Sequence, residues 1–554
     1  MGINFKKLED MFKIVHPLKQ IILNLLIKTQ HIKTETNYQY KFRKCITITL
    51  LLISTNTFAQ ENDLSKLHKK ELQNSIRLNF TTVDMPNHIF PNLEDKMGLM
   101  SLDYNVLLNE WFYIGSGMKA ALTGDQGGLF TLGIETGISK KLYRNLYFDT
   151  NIYFGGGGGY RYLVNDGGLI NPNIGIKLKN KNNSIGLQYS YVNFYSGEIK
   201  SNSISFFAEV PITLRMANYK EALKTFIAKD DESAKFWNTP ATKTAQQIRF
   251  DFLSPIGNSK RDNGLPIEET LYTIGFEYQK YINKQMYAFV HTDAIYKGLR
   301  AGFMDLFFGF GRNLTEDKLF NLFYKLGIGA AGGRIAPEGG LMIYPSAGMD
   351  IKISKSFLLS THGGFYHALD GDLQAYTTGF GIKYVGLNGG IHFEKGNFYK
   401  QYKTKGIRVT AENQTYFDVL KTDAPKATLQ MLALKLNYDL SKHIYTTSEA
   451  SFAYDGESGG YAHGLIGFGV KSPTFLKGKL EIFSEISGGA AGGAGIDTGE
   501  GIVIKPLIGM SYFHTNTFAL SASRGRIIAP FGNIDSTNIN IGINFRLSIL
   551  NAIL

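Results

Sequence analysis

Apolar and polar residues alternate along most of this chain with a period of two, the signature of strands that show one face to an apolar phase and the other to a polar one. From Phe130 to Ser139, the residues Phe130, Leu132, Ile134 and Ile138 share one face, while Thr131, Gly133, Glu135, Gly137 and Ser139 share the other. Further on, Ile204, Phe206, Ala208, Val210, Ile212 and Leu214 oppose Ser205, Glu209 and Thr213. Earlier, Ile76, Leu78 and Phe80 oppose Arg77 and Asn79. The pattern predicts eight strands, near 76–84, 98–108, 111–122, 129–139, 145–156, 168–178, 184–195 and 202–214. Their connections alternate between short turns, such as Asn109-Glu110, and longer or glycine-rich loops.

The same unit then recurs. Ile76-Arg77, Ile248-Arg249 and Ile407-Arg408 open it; glycine-rich runs counted from Gly155, Gly329 and Gly489 lie in its middle; and Pro172, Pro345 and Pro506 follow those runs. The three landmarks move in step, by about 170 and then about 160 residues, as expected of tandem copies of one unit of about 140 residues. The chain therefore divides into repeats at 76–214, 248–387 and 407–554, a lead at 60–75, and linkers at 215–247 and 388–406. The first linker reads as a short amphipathic helix with a polar tail, the second as a polar connector, and strand parity puts both on the side of the short turns.

Composition agrees with strands: 61 glycines, 39 phenylalanines and 31 tyrosines stand against 14 prolines in 554 residues. No stretch of the mature chain approaches the roughly 20 unbroken apolar residues a membrane helix needs, so any membrane crossing must be made by strands. Lys41, Arg43 and Lys44, the apolar run from Cys45 to Ile53, and Thr57-Phe58-Ala59 together read as a secretory signal cut after Ala59. Its ending is similar to export signals of Bacteroidota. The 40 residues before it exceed what an ordinary signal carries, fit a start codon assigned too far upstream, and take no part in the fold reasoning.

About half of the formal +12 charge lies in those first 59 residues, and the remainder is too diffuse for a nucleic-acid partner. The single cysteine, Cys45, falls inside the signal behind Phe42-Arg43-Lys44, which excludes lipid attachment there, disulfides and cysteine-bound metals in the mature chain.

Segments of about ten residues with alternating short turns and longer loops resemble outer-membrane β-barrels as an architecture, over residues 76 to 548. That resemblance implies an all-β, transmembrane antiparallel barrel in the outer membrane of a Gram-negative bacterium. Its partners would be outer-membrane lipids, the barrel-assembly machinery, and periplasmic or surface proteins. The apolar face would meet lipid, and Arg77, Asp103, Lys119, Glu135, Asp149, Lys177 and Glu209 would point inward, where they pair or line water. Trp111, Tyr143, Tyr147, Tyr189, Tyr191 and Tyr195 would form interfacial girdles. Such barrels typically end on an aromatic residue; here Phe545 takes that place, with a short tail to Leu554.

Three closed eight-stranded barrels and one barrel of 24 strands are both compatible with the pattern. The first would be a non-enzymatic platform for surface attachment, envelope integrity or lipid handling; the second would be a pore or export channel for polysaccharide or protein.

Gly155, Gly156, Gly329 and Gly489 end the fifth strands, and Pro172, Pro345 and Pro506 sit in the sixth, so each hairpin holds residues that pair poorly. Two readings follow: glycines that let a narrow barrel coil, with prolines at bulges, or a weakened wall through which an apolar ligand passes sideways. Eight-stranded lipid-modifying barrels are similar in using prolines for lateral access. His362, His367 and Asp370 offer the one candidate His/Asp pair for a barrel hydrolase, in the second copy alone. Gly327 to Gly332 satisfies G-x-G-x-x-G, but a strand follows it where a dinucleotide site needs a helix. No catalytic residue, cofactor or metal motif is assigned.

Overall fold

The computed structural model describes residues 61–89, 93–228, 236–299, 302–315, 319–335, 339–393, 397–398, 401–422 and 425–553. The signal segment, Cys45 and the cleavage site lie outside these. Among the described residues no helix is long and apolar enough to cross a membrane.

The strands of the first repeat are Lys69–Asp84, Lys96–Leu107, Phe112–Thr123, Phe130–Tyr143, Leu146–Gly158, Leu169–Lys179, Ser184–Phe194 and Lys200–Ala217. Each pairs antiparallel with the next, and the eighth returns to the first, with Leu72 opposite Leu214 and Ile76 opposite Val210. The second repeat runs Thr242–Ile256, Leu271–Tyr281, Met286–Lys297, Met304–Asn313, Phe320–Gly332, Leu341–Lys352, Phe357–Ala368 and Gln374–Asn388. It closes the same way, with Ile248 opposite Ile382. The third runs Gln401–Val419, Ala427–Asp439, Ile444–Asp455, Ala462–Lys471, Leu480–Gly492, Ile502–Phe513, Phe518–Ile528 and Asp535–Ala552, and closes with Ile407 opposite Leu547. The ladders thus close after every eighth strand and do not run on through 24. Among the described residues only isolated strand pairs, Asn388 with Asn551 and Ser548 with Ala217, join one ladder to another. The closing strands are long, 16 and 18 residues in the first repeat, which gives each closure an extended run of backbone hydrogen bonds.

Outside and inside are inverted relative to a soluble barrel. Ile76, Ile114, Ile152, Ile174, Ile204 and Val210 are exposed on the outer wall of the first barrel, as are Phe310, Leu326 and Ile382 on the second and Ile486, Ile508 and Ile541 on the third. The inward positions of the same strands carry buried Arg, Lys, Asp, Glu, Asn and Tyr. Trp111 and Tyr143 are exposed at strand ends, whereas Tyr189 lies in mid-strand. The last strand continues past Phe545 to Ala552, so the residues after that aromatic are part of the wall.

The barrels are not beads on a string. At the short-turn side a small core gathers Leu64, Ala217, Trp237, Leu387, Tyr402 and Leu550 from the lead, both linkers and all three barrels. Among the described residues of the first linker the expected helix is one 3-10 turn, Tyr219–Glu221, capped by Asn218 and followed by Leu223 at φ 67°, and residues 229–235 lie outside them. The chain leaves that turn as a strand because Thr225–Ile227 finds partners on both sides, Glu61–Asp63 in parallel and Gln401 to Lys403 antiparallel. The repeats also begin earlier than the alternation alone marks, at Lys69, Thr242 and Gln401.

Candidate functional site

Each opening strand carries one arginine at an inward position, and all three are enclosed: Arg77 is 2%, Arg249 0% and Arg408 4% exposed. In the first barrel Arg77 pairs with Glu209 at 2.9 Å and Asp149 at 3.1 Å, and Lys177 reaches Asp149 at 2.9 Å and Glu209 at 3.3 Å. Glu135 lies 3.9 Å from Arg77 and accepts from Asn105. Asp103 accepts from the Ser101 hydroxyl, and Lys119 lies over the Tyr153 ring. All seven charges expected to face inward are therefore brought into one enclosed layer. Tyr113, Tyr153 and Phe207 fill the space around them, so the lumen holds side chains rather than a water column.

The second and third barrels use the same plan with other residues. Arg249 bonds Glu277 at 2.7 Å and is also paired with Asp251, while Lys383 bonds Asp350 at 2.7 Å. In the third, Lys505 meets Glu449 at 2.6 Å, Lys435 meets Glu485 at 2.7 Å, and Arg408 meets Glu481 at 3.2 Å. Tyr219 of the first linker reaches into the base of this barrel, where its hydroxyl donates to Asp439 at 2.6 Å. Burial raises the Tyr219 phenol well above its ordinary range.

His362 and His367 do not form a pair. His362 points into the second barrel, 2.7 Å from Asp251, whereas His367 lies on the opposite face of the same strand, stacked on Phe365. Period-two geometry makes this unavoidable for residues five apart in one strand. Asp370 lies in the following loop, where its carbonyl accepts from Gly339.

The glycines divide by parity into two tasks. Gly155, Gly329 and Gly489 face inward, and the Tyr153 ring packs beside Gly155 where a side chain would collide with it. Gly156 and Gly158 face outward against the third barrel: a Cβ on Gly158 would stand 2.3 Å from the nitrogen of Gly460, and one on Gly156 2.5 Å from the carbonyl of Ala453. Gly332 meets Gly128 of the first barrel in the same manner, at 2.3 Å. Backbone bonds cross where the walls touch, from Gly460 N to Gly157 O at 3.1 Å and from Gly459 N to Asn165 O at 2.8 Å. The Tyr195 hydroxyl also donates to the Tyr454 carbonyl at 2.5 Å. Small residues allow this close approach between walls as they do between membrane helices.

The prolines do not weaken the glycine hairpin. Pro172 lies opposite Ile152, Pro345 opposite Leu326 and Pro506 opposite Ile486 in unbroken ladders between the fifth and sixth strands. The interruption falls on the other edge, between the sixth and seventh strands. Pairing there skips from Ile170 to Asn173, from Ile343 to Ser346, and from Ile504 to Leu507. In the first barrel Asn171 spans the gap, donating to Ser190 Oγ and to the Tyr191 carbonyl, both at 2.9 Å.

Between the three barrels lies a cavity of about 570 Å³. Met118 and Phe130 of the first barrel, Phe276 and Met304 of the second, and Leu434 and Phe452 of the third contribute to its lining. Apolar outside, ionic inside and closed by backbone ladders, the fold is that of a membrane-spanning β-barrel protein of the outer-membrane type.

No family model matches the sequence, and no curated protein matches it. Among solved structures the chain is similar to the siderophore receptor PirA from Acinetobacter baumannii, at 8% identity and a TM-score of 0.26, over 88% of this chain and 81% of that one. It is similar to OccAB3 from the same organism at 9% identity and a TM-score of 0.20, over 86% and 99%. The FrpB iron transporter from Neisseria meningitidis gives 10% identity and a TM-score of 0.25, over 87% and 83%.

Proposed function

We propose that this chain is an integral outer-membrane protein whose three barrel units form a non-enzymatic platform that holds membrane lipid at their junction. The observation that carries this reading is the apolar cavity of about 570 Å³ walled by all three barrels, within the size range of small-molecule sites. Its apolar lining, Met118, Phe130, Phe276, Met304, Leu434 and Phe452, belongs to outer walls, so in a bilayer its natural occupant is an acyl chain and not water. The filled lumens weigh against the alternative of a wide pore or export channel, and the separation of His362 from His367 onto opposite faces weighs against a barrel hydrolase.

The test is native mass spectrometry of the full chain extracted from fractionated membranes, compared with Ala450→Phe, which fills the cavity. The expected result is recovery in the outer-membrane fraction with acyl-bearing lipid retained, and loss of that lipid in the variant. A folded protein that carries no lipid, or the same lipid in both forms, would overturn the reading.

A further inference from the structure

One cluster in the second barrel is not explained by ion pairing. His291 and Asp293 lie two apart on the strand Met286–Lys297, and Asp305 lies on the neighbouring strand Met304–Asn313. All three point inward and are at most 1% exposed. His291 Nε2 stands 3.7 Å from Asp305 Oδ1 and 4.0 Å from Asp293 Oδ2, and ligand atoms of the three lie within 4.8 Å of one another.

The groups around this cluster hold its ligands without using them up. Tyr366 donates to Asp305 Oδ2 at 2.7 Å, and the Asp293 backbone N–H donates to Asp305 Oδ1 at 2.8 Å. Yet His291 Nε2 and both carboxylate oxygens of Asp293 have no hydrogen-bond partner, although they are fully enclosed. Their nearest cation is Arg249, whose Nε lies 3.8 Å from Asp293. Enclosed polar atoms without partners are costly and call for an explanation. Glycine at position 275 makes room for them: a Cβ there would stand 1.7 Å from Asp293 Oδ1.

Charge points the same way. Among the nine-tenths-buried strand residues of this barrel, five carboxylates (Asp251, Glu277, Asp293, Asp305 and Asp350) face three cations (Arg249, Lys325 and Lys383). The same tally is four to three in the first barrel and five to five in the third. The second barrel alone is short of two positive charges.

We propose that His291, Asp293 and Asp305 bind one divalent first-row transition-metal cation inside the second barrel. One imidazole and two carboxylates form a donor set suited to Zn²⁺ or Mn²⁺, and a dication would cancel the excess charge. The ring would carry its proton on Nδ1, facing Glu277 Oε2 at 3.7 Å, in the manner of carboxylate-oriented metal-binding histidines. Arg249 Nη1, which is 3.2 Å from Nδ1 and 2.7 Å from Glu277, would then donate to Glu277 alone. The cation would act within the wall, as a cross-link between the two strands. Neither sister barrel has the set: at the positions of Asp293 and Asp305 the first carries Lys119 and Thr131, and the third carries Ser451 and His463.

The experiment uses the full chain in detergent, stripped with a chelator, re-equilibrated with Zn²⁺ or Mn²⁺ separately, freed of excess and analysed for bound metal. Heat-modifiable migration confirms folding of each sample. One equivalent per chain is expected, falling to background in Asp293→Asn and His291→Gln but kept in His443→Ala, which removes an exposed histidine outside the barrel. No bound metal in the folded wild type would overturn the proposal and leave a proton shared by Asp293 and Asp305 as the account of the cluster. Metal retained undiminished in a folded Asp293→Asn would overturn it equally, by assigning the binding to surface groups. Should the variants fail to fold, X-ray absorption of the loaded wild type decides, since a shell without one imidazole nitrogen among oxygens excludes this site.

Discussion

Replacing Gly158 with valine should part the first barrel from the third without opening either. A Cβ at this position would stand 2.3 Å from the nitrogen of Gly460 and 2.7 Å from the carbonyl carbon of Gly459, both backbone atoms that no rotamer change can move. Ordinary carbon contacts need roughly 3.5 Å or more, so the walls must separate by about 1 Å. That separation lengthens the bonds from Gly460 N to Gly157 O, now 3.1 Å, and from Gly459 N to Asn165 O, now 2.8 Å, beyond useful range. Two such bonds are worth about 0.5–1.5 kcal/mol each, and overpacking adds about 1–3 kcal/mol. The junction should therefore weaken by about 2–6 kcal/mol. The ladder between the fourth and fifth strands, in which Gly158 pairs with Phe130, lies within one barrel and should persist. Because the described residues contain no cysteine, spin labels at Glu110 and Leu476, both in exposed turns, can report the distance between the two barrels by electron resonance. A longer or broader distance distribution with unchanged β-type circular dichroism is expected. An unchanged distribution in Gly158→Val would show that the glycines are not there for inter-barrel contact.

Other outcomes follow from the same geometry. Arg77→Met leaves Glu209 and Asp149 with Lys177 as their remaining close cation, and should destabilise the first barrel by about 3–5 kcal/mol, read as a lower urea midpoint for loss of heat-modifiable migration. Asn171→Ala removes the donor that spans the ladder gap and should cost about 1–3 kcal/mol in the same assay, whereas Asn180→Ala, in an exposed turn, should cost far less. Reconstituted in planar bilayers, the full chain should give no sustained conductance, because enclosed side chains occupy all three lumens; a stable ohmic channel would contradict that packing. Burial, aided by Asp455 and Asp166, pushes the Tyr195 phenol up to about 12. In the unfolded chain the proton is lost near pH 10, so the bond to Tyr454 contributes fully below that pH and is lost as the pH rises through about 12. Tyr195→Phe should abolish this alkaline step in the spin-label distance.

How far the sequence could be read depended on whether the responsible interaction was local. Alternation placed Arg77, Glu135, Asp149 and Glu209 on one face because side-chain direction in a strand follows directly from parity. The spacing of Gly155, Gly329 and Gly489 exposed the repeat for the same reason, since equivalent positions in equivalent folds face equivalent constraints. Which strand closes upon which was not legible: Ile76 meets Val210 in its own repeat, yet nothing local to either residue excludes a partner in the next one. The purpose of the glycines was hidden for a related reason. Gly156 and Gly158 read as material for bending or weakening one wall, while the atoms they approach, at Ala453 and Gly460, lie some 300 residues further on.

The metal-ligand cluster was missed although half of its signal is local. His291-x-Asp293 shares a face, and pairing of His291 with Phe307 sets Asp305 on the adjacent strand beside them. Looking for ligands across one hairpin at matching inward parity would have found it, where a search along the chain for helix-type spacing could not. The three copies differ from one another at these positions, and the second alone places carboxylates at both. It keeps the arginine of its sisters at Arg249 but places carboxylates at 293 and 305 where they carry a lysine, a serine, a threonine and a histidine. Such a change cannot serve closure of the barrel, because the first and third barrels close without it. It alters the charge and the hydrogen bonding inside one wall, and that makes the second barrel the place where these three otherwise similar units would differ in function.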